Sequence, residues 1–178
     1  MSSVPLNDVC QFLETFAPLA LGEVWDNVGL LVGDRQRNVS RVMTCLTITP
    51  TTAAEAVRER ADLILTHHPL PFQPLKRLTT ETTVGEILLQ LIEARIAVYS
   101  PHTAFDSAAE GINQGLAECL GLVEIVPLEP AADTSISGGS GRKGRLPQPQ
   151  SLAVVGEWLK QFLKIPQVHH VGKLGQII

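Results

Sequence analysis

The alternation of apolar runs between Arg41 and Val126 constrains this chain more than any other feature. The run 41–48 is carried by Val42, Cys45, Leu46 and Ile48, and a helical stretch rich in small apolar residues follows to about Arg60. Then come a strand at 62–66, a helix at about 84–95, a strand at 96–100, a helix at about 111–120 and a short strand at 123–126. Strand and helix in strict succession specify an α/β fold, with a mixed, largely parallel sheet flanked by helices. In such sheets ligands gather beyond the carboxyl ends of the strands.

The flanks are read in the same way. Leu6, Val9, Cys10, Leu13 and Phe16 recur at helical spacing, and Pro18 ends that helix. Val28–Val32 reads as a strand, with Gly29 marking a bulge or a close backbone contact. Thr51 or Thr52 is the expected cap of the second helix, with Glu55 completing a capping box with Thr52. The stretch 69–80 holds three prolines and is a loop. Residues 131–150, rich in Gly, Ser and Pro, read as a flexible linker. Ser151 caps a last helix through about Leu163, Pro166 breaks it, and Val168–Val171 has the look of a strand start. The expected organisation is a lobe over 1–130, a linker over 131–150 and the start of an incomplete second lobe over 151–178.

Function enters at the strand ends. The run Asp62–Thr66 delivers the chain to His67-His68-Pro69. The run 96–100 leads to Pro101 and His102, with Asp106 four residues on. Neutral imidazole and carboxylate suit zinc, iron, manganese or nickel. Adjacent side chains on a regular strand point to opposite faces, so both histidines serve one site only if the backbone leaves strand geometry there. Pro69 favours that, because it restricts His68 and removes a backbone donor. Two ions bridged by a carboxylate such as Asp106 can activate a shared water for hydrolysis. His102 fits equally as a ligand or as a residue that holds one through a hydrogen bond.

Other features weigh less. His169 and His170 follow the linker with no carboxylate near them in sequence and read as ordinary residues. Gly138–Gly144 lacks the Gly-Lys-Ser/Thr ending of a phosphate loop and no apolar strand precedes it. Ser100 and Ser107 have no base and orienter around them, which disfavours a serine hydrolase. Cys10, Cys45 and Cys119 are odd in number and widely spaced, which argues for free thiols, with Cys10 and Cys45 as small core residues. A formal net charge of −4 without a basic block disfavours direct nucleic-acid binding. No apolar run approaches the ~18 residues of a membrane helix, and the first residues lack a secretory pattern, so a cytoplasmic location is expected.

Three stretches then fall into one register. Trp25-Asp26-Asn27-Val28-Gly29-Leu30, Leu65-Thr66-His67-His68-Pro69 and Ser100-Pro101-His102-Thr103-Ala104-Phe105-Asp106 resemble the successive signatures of the Nif-like dinuclear metal-centre hexameric family, the GTP cyclohydrolase I type 2 homologues. The likeness spans about residues 5–130, and Gly141–Leu146 is similar to the family's link into a second lobe. The resemblance implies a two-lobed α/β fold, of which this is the first lobe, and a toroidal hexamer with metal pairs facing a central cavity. It implies that His67, His68 and Asp106 are metal ligands and that His102 is a ligand or supports one. Trp25, Asp26 and Asn27 become site-lining or structural. The implied activity is metal-dependent hydrolysis of a nucleotide or related cyclic substrate. The alternatives are a non-enzymatic oligomeric scaffold or regulator acting through protein partners, and an inactive truncated member. The family completes its site with a His-x-x-x-Glu pair near its C-terminus, whereas Lys173 and Leu174 stand four residues beyond His169 and His170. The expectation is therefore a chain that stops just inside its second lobe.

Overall fold

The computed structural model describes residues 3–178. They fall into two compact units, one ending at Ala108 and the other spanning Ala109–Ile178. The division lies well before the expected boundary at residue 130, because the chain beyond Ala108 forms its own small sheets.

The first unit contains β1 (Val4–Pro5), α1 (Leu6–Phe16), a 3₁₀ turn (Leu19–Leu21), β2 (Gly29–Val32), β3 (Asn38–Val39), β4 (Val42–Cys45), α2 (Pro50–Arg58), β5 (Leu63–Thr66), α3 (Thr83–Glu93), β6 (Ala97–Ser100) and α4 (His102–Ser107). Its central sheet has four strands in the order β2-β6-β5-β4. β4, β5 and β6 are parallel, and β2 joins the edge antiparallel to β6. The sheet is thus mixed and largely parallel. β1 and β3 form a separate antiparallel pair.

Alternation along β5 and β6 builds two apolar layers. Ile64 and Val98 face one side with Ala53 and Ala56 of α2 and Ile87 and Leu91 of α3. Leu63, Ala97 and Tyr99 face the other side with Leu6 and Cys10 of α1. Both faces of β5 are covered, which is why it reads as an unbroken apolar run. Cys10 is fully buried, Cys45 is partly buried against the first layer, and all three cysteines are free.

Local chemistry sets the element ends. The cap of α2 is Thr49, not Thr51 or Thr52: its Oγ1 accepts from Thr52 N at 3.2 Å, and Thr49 N donates to Thr52 Oγ1 at 2.7 Å. Pro50 explains the shift. Its missing N–H and fixed φ suit the first helical position, which leaves the cap to the residue before it. Thr82 Oγ1 caps α3 by accepting from Gly85 N at 3.1 Å. Gly29 has φ +103 and sits against the Leu19 side chain, while the register shift in β2 lies farther on, between Leu30 and Val32.

The second unit contains α5 (Ile112–Cys119), β7 (Val123–Val126), β8 (Glu129–Pro130), β9 (Gly139–Ser140), β10 (Lys143–Arg145) and α6 (Leu152–Leu163). β7 is not a strand of the parallel sheet, as the alternation suggested; it pairs antiparallel with β10. Short strands lie in and beside the stretch 131–150, which was read as a flexible linker. β8 pairs with β9, Gly139 and Gly141 take positive φ, and a Cβ on Gly139 would stand 2.3 Å from Glu129 O. The Arg142 guanidinium donates to Gln114 Oε1 at 2.8 Å and to the carbonyls of Gly139 and Gly141 at 2.7 Å. The glycines and that guanidinium shape the segment. Ser151 caps α6 as expected, accepting from Val154 N at 3.4 Å. Residues 168–171 form no strand, and a single bridge joins Ser151 to Ile177. Among the described residues no helix is long and apolar enough to cross a membrane.

Asp62 fastens the start of β5. Its Oδ2 accepts from Ser40 N at 2.8 Å, Ser40 Oγ at 3.0 Å and Arg41 N at 2.9 Å. Burial alone raises its pKa, but these donors, with Arg37 nearby, hold it below the usual carboxylate value. A depressed folded-state pKa stabilises the fold above the unfolded value of about 3.9, and that gain is lost as pH falls through the folded value. Asp62→Asn is expected to destabilise the protein by about 1 kcal/mol near neutral pH. The gap to wild type should narrow as pH falls through the depressed folded-state value, as urea denaturation across an acid pH series will show.

Candidate metal centre

β5 ends at Thr66, so His67 and His68 both lie past regular strand geometry. The ladder with the β4 exit continues briefly: His67 N donates to Cys45 O at 3.3 Å and His68 N to Leu46 O at 2.9 Å. The exit of β6 lies alongside, and Ser100 Oγ donates to His67 O at 2.6 Å. Thr66 Oγ1 is within 3.2 Å of the carbonyls of Leu46 and His68. Hydroxyls at two strand ends thereby fix the peptide that carries the histidine pair. The two rings can share one side of the sheet edge, with centroids 5.2 Å apart and planes tilted by 53°.

His102 joins them from the first residue of α4. Its ring centroid is 5.1 Å from that of His67 and 5.8 Å from that of His68. One ligand nitrogen from each of the three histidines lies within 4.8 Å of the others. Asp106, one turn along α4, places Oδ1 3.8 Å from His67 Nε2, at the edge of this group. His169 and His170 belong to the second unit.

The three imidazoles differ in what meets Nδ1. His102 Nδ1 lies 2.9 Å from both oxygens of Asp26. The Asp26 side chain is 0% exposed, and it also accepts from Asn27 N at 2.7 Å, Thr103 N at 3.2 Å and the Thr103 hydroxyl. Burial pushes its pKa up, yet the donors from Thr103, His102 and Asn27 outweigh that and hold it below the ordinary value. Asp26 is therefore a buried anion matched by donors, and it fixes which His102 nitrogen stays open. These contacts also hold His102 at φ 30, a backbone position that a non-glycine residue adopts only under constraint. His68 Nδ1 is 2.6 Å from Thr47 Oγ1. His67 Nδ1 is buried with no hydrogen-bond partner. Burial, the largest influence, together with the two neighbouring imidazoles lowers the His67 pKa against the opposing pull of Asp106, which favours the neutral ring a metal requires.

The structure thus brings together His67, His68, His102 and Asp106, and gives Asp26 a definite task. Asn27 ties two loops, its Nδ2 donating to Pro71 O at 2.7 Å. Trp25 is 62% exposed and meets Phe72 edge-on at 6.2 Å, and Phe72 in turn meets His102 at 6.3 Å. The sequence alone assigned no site role to Thr47, Thr66, Ser100, Thr103 or Phe72, although Thr66, Ser100 and Thr103 lie within its signature stretches. Thr47 was within reach of it: the β4–β5 pairing Cys45↔Thr66, extended by two residues, sets Thr47 beside His68.

The donor set fits a divalent cation: imidazoles with a nearby carboxylate, two ring nitrogens already oriented, and one buried nitrogen lacking a partner. Loss of an orienting partner commonly costs about 10–100-fold in metal affinity. Asp26→Asn is expected to weaken zinc binding by that order, and Thr47→Val by less, because a carboxylate orients an imidazole more strongly than a hydroxyl. Competition titration against a chromophoric chelator will rank them, and equal affinities in wild type and Asp26→Asn would remove the role given to Asp26.

Comparison with known proteins bears on the family and the fold. The sequence matches the Duf34/NIF3 (NGG1p interacting factor 3) family over residues 4–178. It is 35% identical over 170 residues to a GTP cyclohydrolase 1 type 2 homolog of Clostridium acetobutylicum, covering 96% of this chain and 63% of the relative. It is 37% identical over 131 residues to human NIF3-like protein 1, covering 73% of this chain and 35% of that protein. The crystal structure of Staphylococcus aureus protein SA1388 superposes with a TM-score of 0.84 at 26% identity, over 98% of this chain and 70% of that one. Reduced HcgD from Methanocaldococcus jannaschii gives a TM-score of 0.79 at 30% identity, over 91% of this chain and 61% of that one. The chain spans 63% of the length of the Clostridium acetobutylicum relative. With its three motifs, its mixed sheet and a family match across nearly its whole length, the chain belongs to the Duf34/NIF3 family.

Proposed function

We propose that this chain binds a divalent metal ion through His67, His68 and His102, with Asp106 as a further carboxylate ligand, and serves metal-dependent hydrolysis. The observation that carries this reading is the meeting of three imidazole nitrogens within 4.8 Å at the carboxyl ends of parallel strands. Zinc, iron, manganese and nickel all suit such donors. A divalent ion held by these residues would supply Lewis acidity toward a carbonyl or phosphoryl group. The chain's own residues prepare the site. Asp26 and Thr47 orient two rings, burial keeps His67 neutral, and Asp106 adds negative charge beside His67 Nε2. The relatives named GTP cyclohydrolase 1 type 2 homolog support a nucleotide or related cyclic compound as substrate.

Elemental analysis of purified protein tests the first step. Wild type is expected to carry a divalent metal that the double variant His67→Ala/His68→Ala loses while keeping its far-ultraviolet circular dichroism. Unchanged metal content in the double variant would sink the assignment. Hydrolysis, where wild type shows it, should vanish with a chelator and return with added metal.

A further inference from the structure

We propose that Trp25 and Phe72 form an aromatic wall beside the histidine group, and that this wall holds the flat heteroaromatic ring of a small ligand. The inference rests on the metal-site reading above and adds the surface that orients the ligand.

Large aromatic side chains carry apolar area that a fold ordinarily buries. Here Trp25 is 62% exposed and Phe72 40% exposed. Neither belongs to the two apolar layers of the first unit. The rings are nevertheless placed. Trp25 and Phe72 stand edge to face at 6.2 Å with planes 73° apart, and Phe72 stands edge to face with His102 at 6.3 Å and 83°. A continuous series of rings therefore runs from an exposed indole to a member of the candidate metal group.

The wall is also prearranged. Trp25 directly precedes Asp26, whose buried carboxylate is fixed by His102 and Thr103. Phe72 directly follows Pro71, whose carbonyl accepts from Asn27 Nδ2 at 2.7 Å. One short segment, 25–27, thus orients His102, ties down the loop that bears Phe72, and presents the indole. Ligand binding then costs little ordering of these groups.

Two rings nearly at right angles offer a face and an edge at once. A flat ring stacks offset on one and meets the other edge to face, while its polar substituents lie toward the imidazoles and Asp106. Stacking of this kind tolerates many heterocycles, because each presents a π face. A second copy of this chain pressing on the exposed Val24, Trp25 and Phe72 is the competing occupant. The continuity with His102 favours a ligand shared with the metal group.

The chain has two tryptophans, so Trp158→Phe leaves Trp25 as the sole indole reporter. In that background, guanosine is titrated into metal-free and zinc-loaded protein, with ribose as a control that lacks the flat ring. The expected result is a saturable change in Trp25 emission with guanosine and none with ribose. Phe72→Ala should weaken the interaction by about tenfold or more, by the usual value of a stacked ring. Equilibrium dialysis should show loss in Trp25→Ala and retention in Trp25→Phe. The absence of a saturable change, an unaltered affinity in Phe72→Ala, or an emission change that follows protein concentration instead of guanosine overturns the wall. Zinc uptake is measured on the same samples. Zinc bound without guanosine binding removes the wall and leaves the metal site standing. No zinc uptake in the parent protein removes the metal site, and the metal-free guanosine titration then decides the wall.

Discussion

The parallel pairing of β5 with β4 on one edge and β6 on the other is the constraint on which the first unit depends. Parallel strands deliver their carboxyl ends to the same side of a sheet. The register pairs Val42 with Leu63 and Leu63 with Ala97, so the three exits finish almost level. Thr47 leaves β4 there, His67 and His68 leave β5, and Ser100 ends β6 just before His102. A slip of one residue would turn Leu63 and Ile64 to the wrong faces. Both are 0% exposed in opposite apolar layers, so the core that holds the sheet also holds the level of the exits.

A level set of strand ends does not by itself aim three imidazoles, and hydrogen bonds finish the placement. A net hydrogen bond is worth about 0.5–1.5 kcal/mol, and one to a charged group about 1.5–3. Asp26 collects donors from two backbone amides, a hydroxyl and an imidazole with its side chain withdrawn from solvent. These bonds work against the roughly 1–3 kcal/mol that a residue costs in a sparsely populated backbone region. His102 can therefore begin α4 in an unfavourable backbone conformation, because the interaction that strains it also orients it.

Much of the first unit was legible in the sequence, for physical reasons that can be named. The α1 helix declared itself through apolar residues at helical spacing, and β5 and β6 through apolar runs that a doubly covered strand requires. His67 and His68 stood out because a strand led straight into them. Antiparallel β2 was not legible as an edge, since strand direction within a sheet leaves no mark on a short apolar run. β7 was assigned to the wrong sheet for the same reason; its antiparallel partner β10 reads only Lys-Gly-Arg. The cap of α2 was missed by overlooking the fit of Pro50 to the first helical turn. The work of Asp26 could not be read from spacing at all: it lies 76 residues from His102, and the contact exists only once β2 pairs with β6.

The unequal support of the three histidines carries the remaining argument. Nature of partner and degree of burial both bear on how a ring nitrogen behaves. His102 leans on a carboxylate, His68 on a hydroxyl, and His67 has a buried Nδ1 with no hydrogen-bond partner. A buried polar atom left unpaired costs about 1–3 kcal/mol. Protonating His67 would be worse, since burial and two neighbouring imidazoles already oppose its charge more strongly than Asp106 favours it. The fold thus keeps a neutral, under-satisfied imidazole between two rings whose second nitrogens are already engaged. A divalent cation held there would draw on neutral imidazole donors without adding a proton, and the nearby Asp106 carboxylate would offset part of its charge.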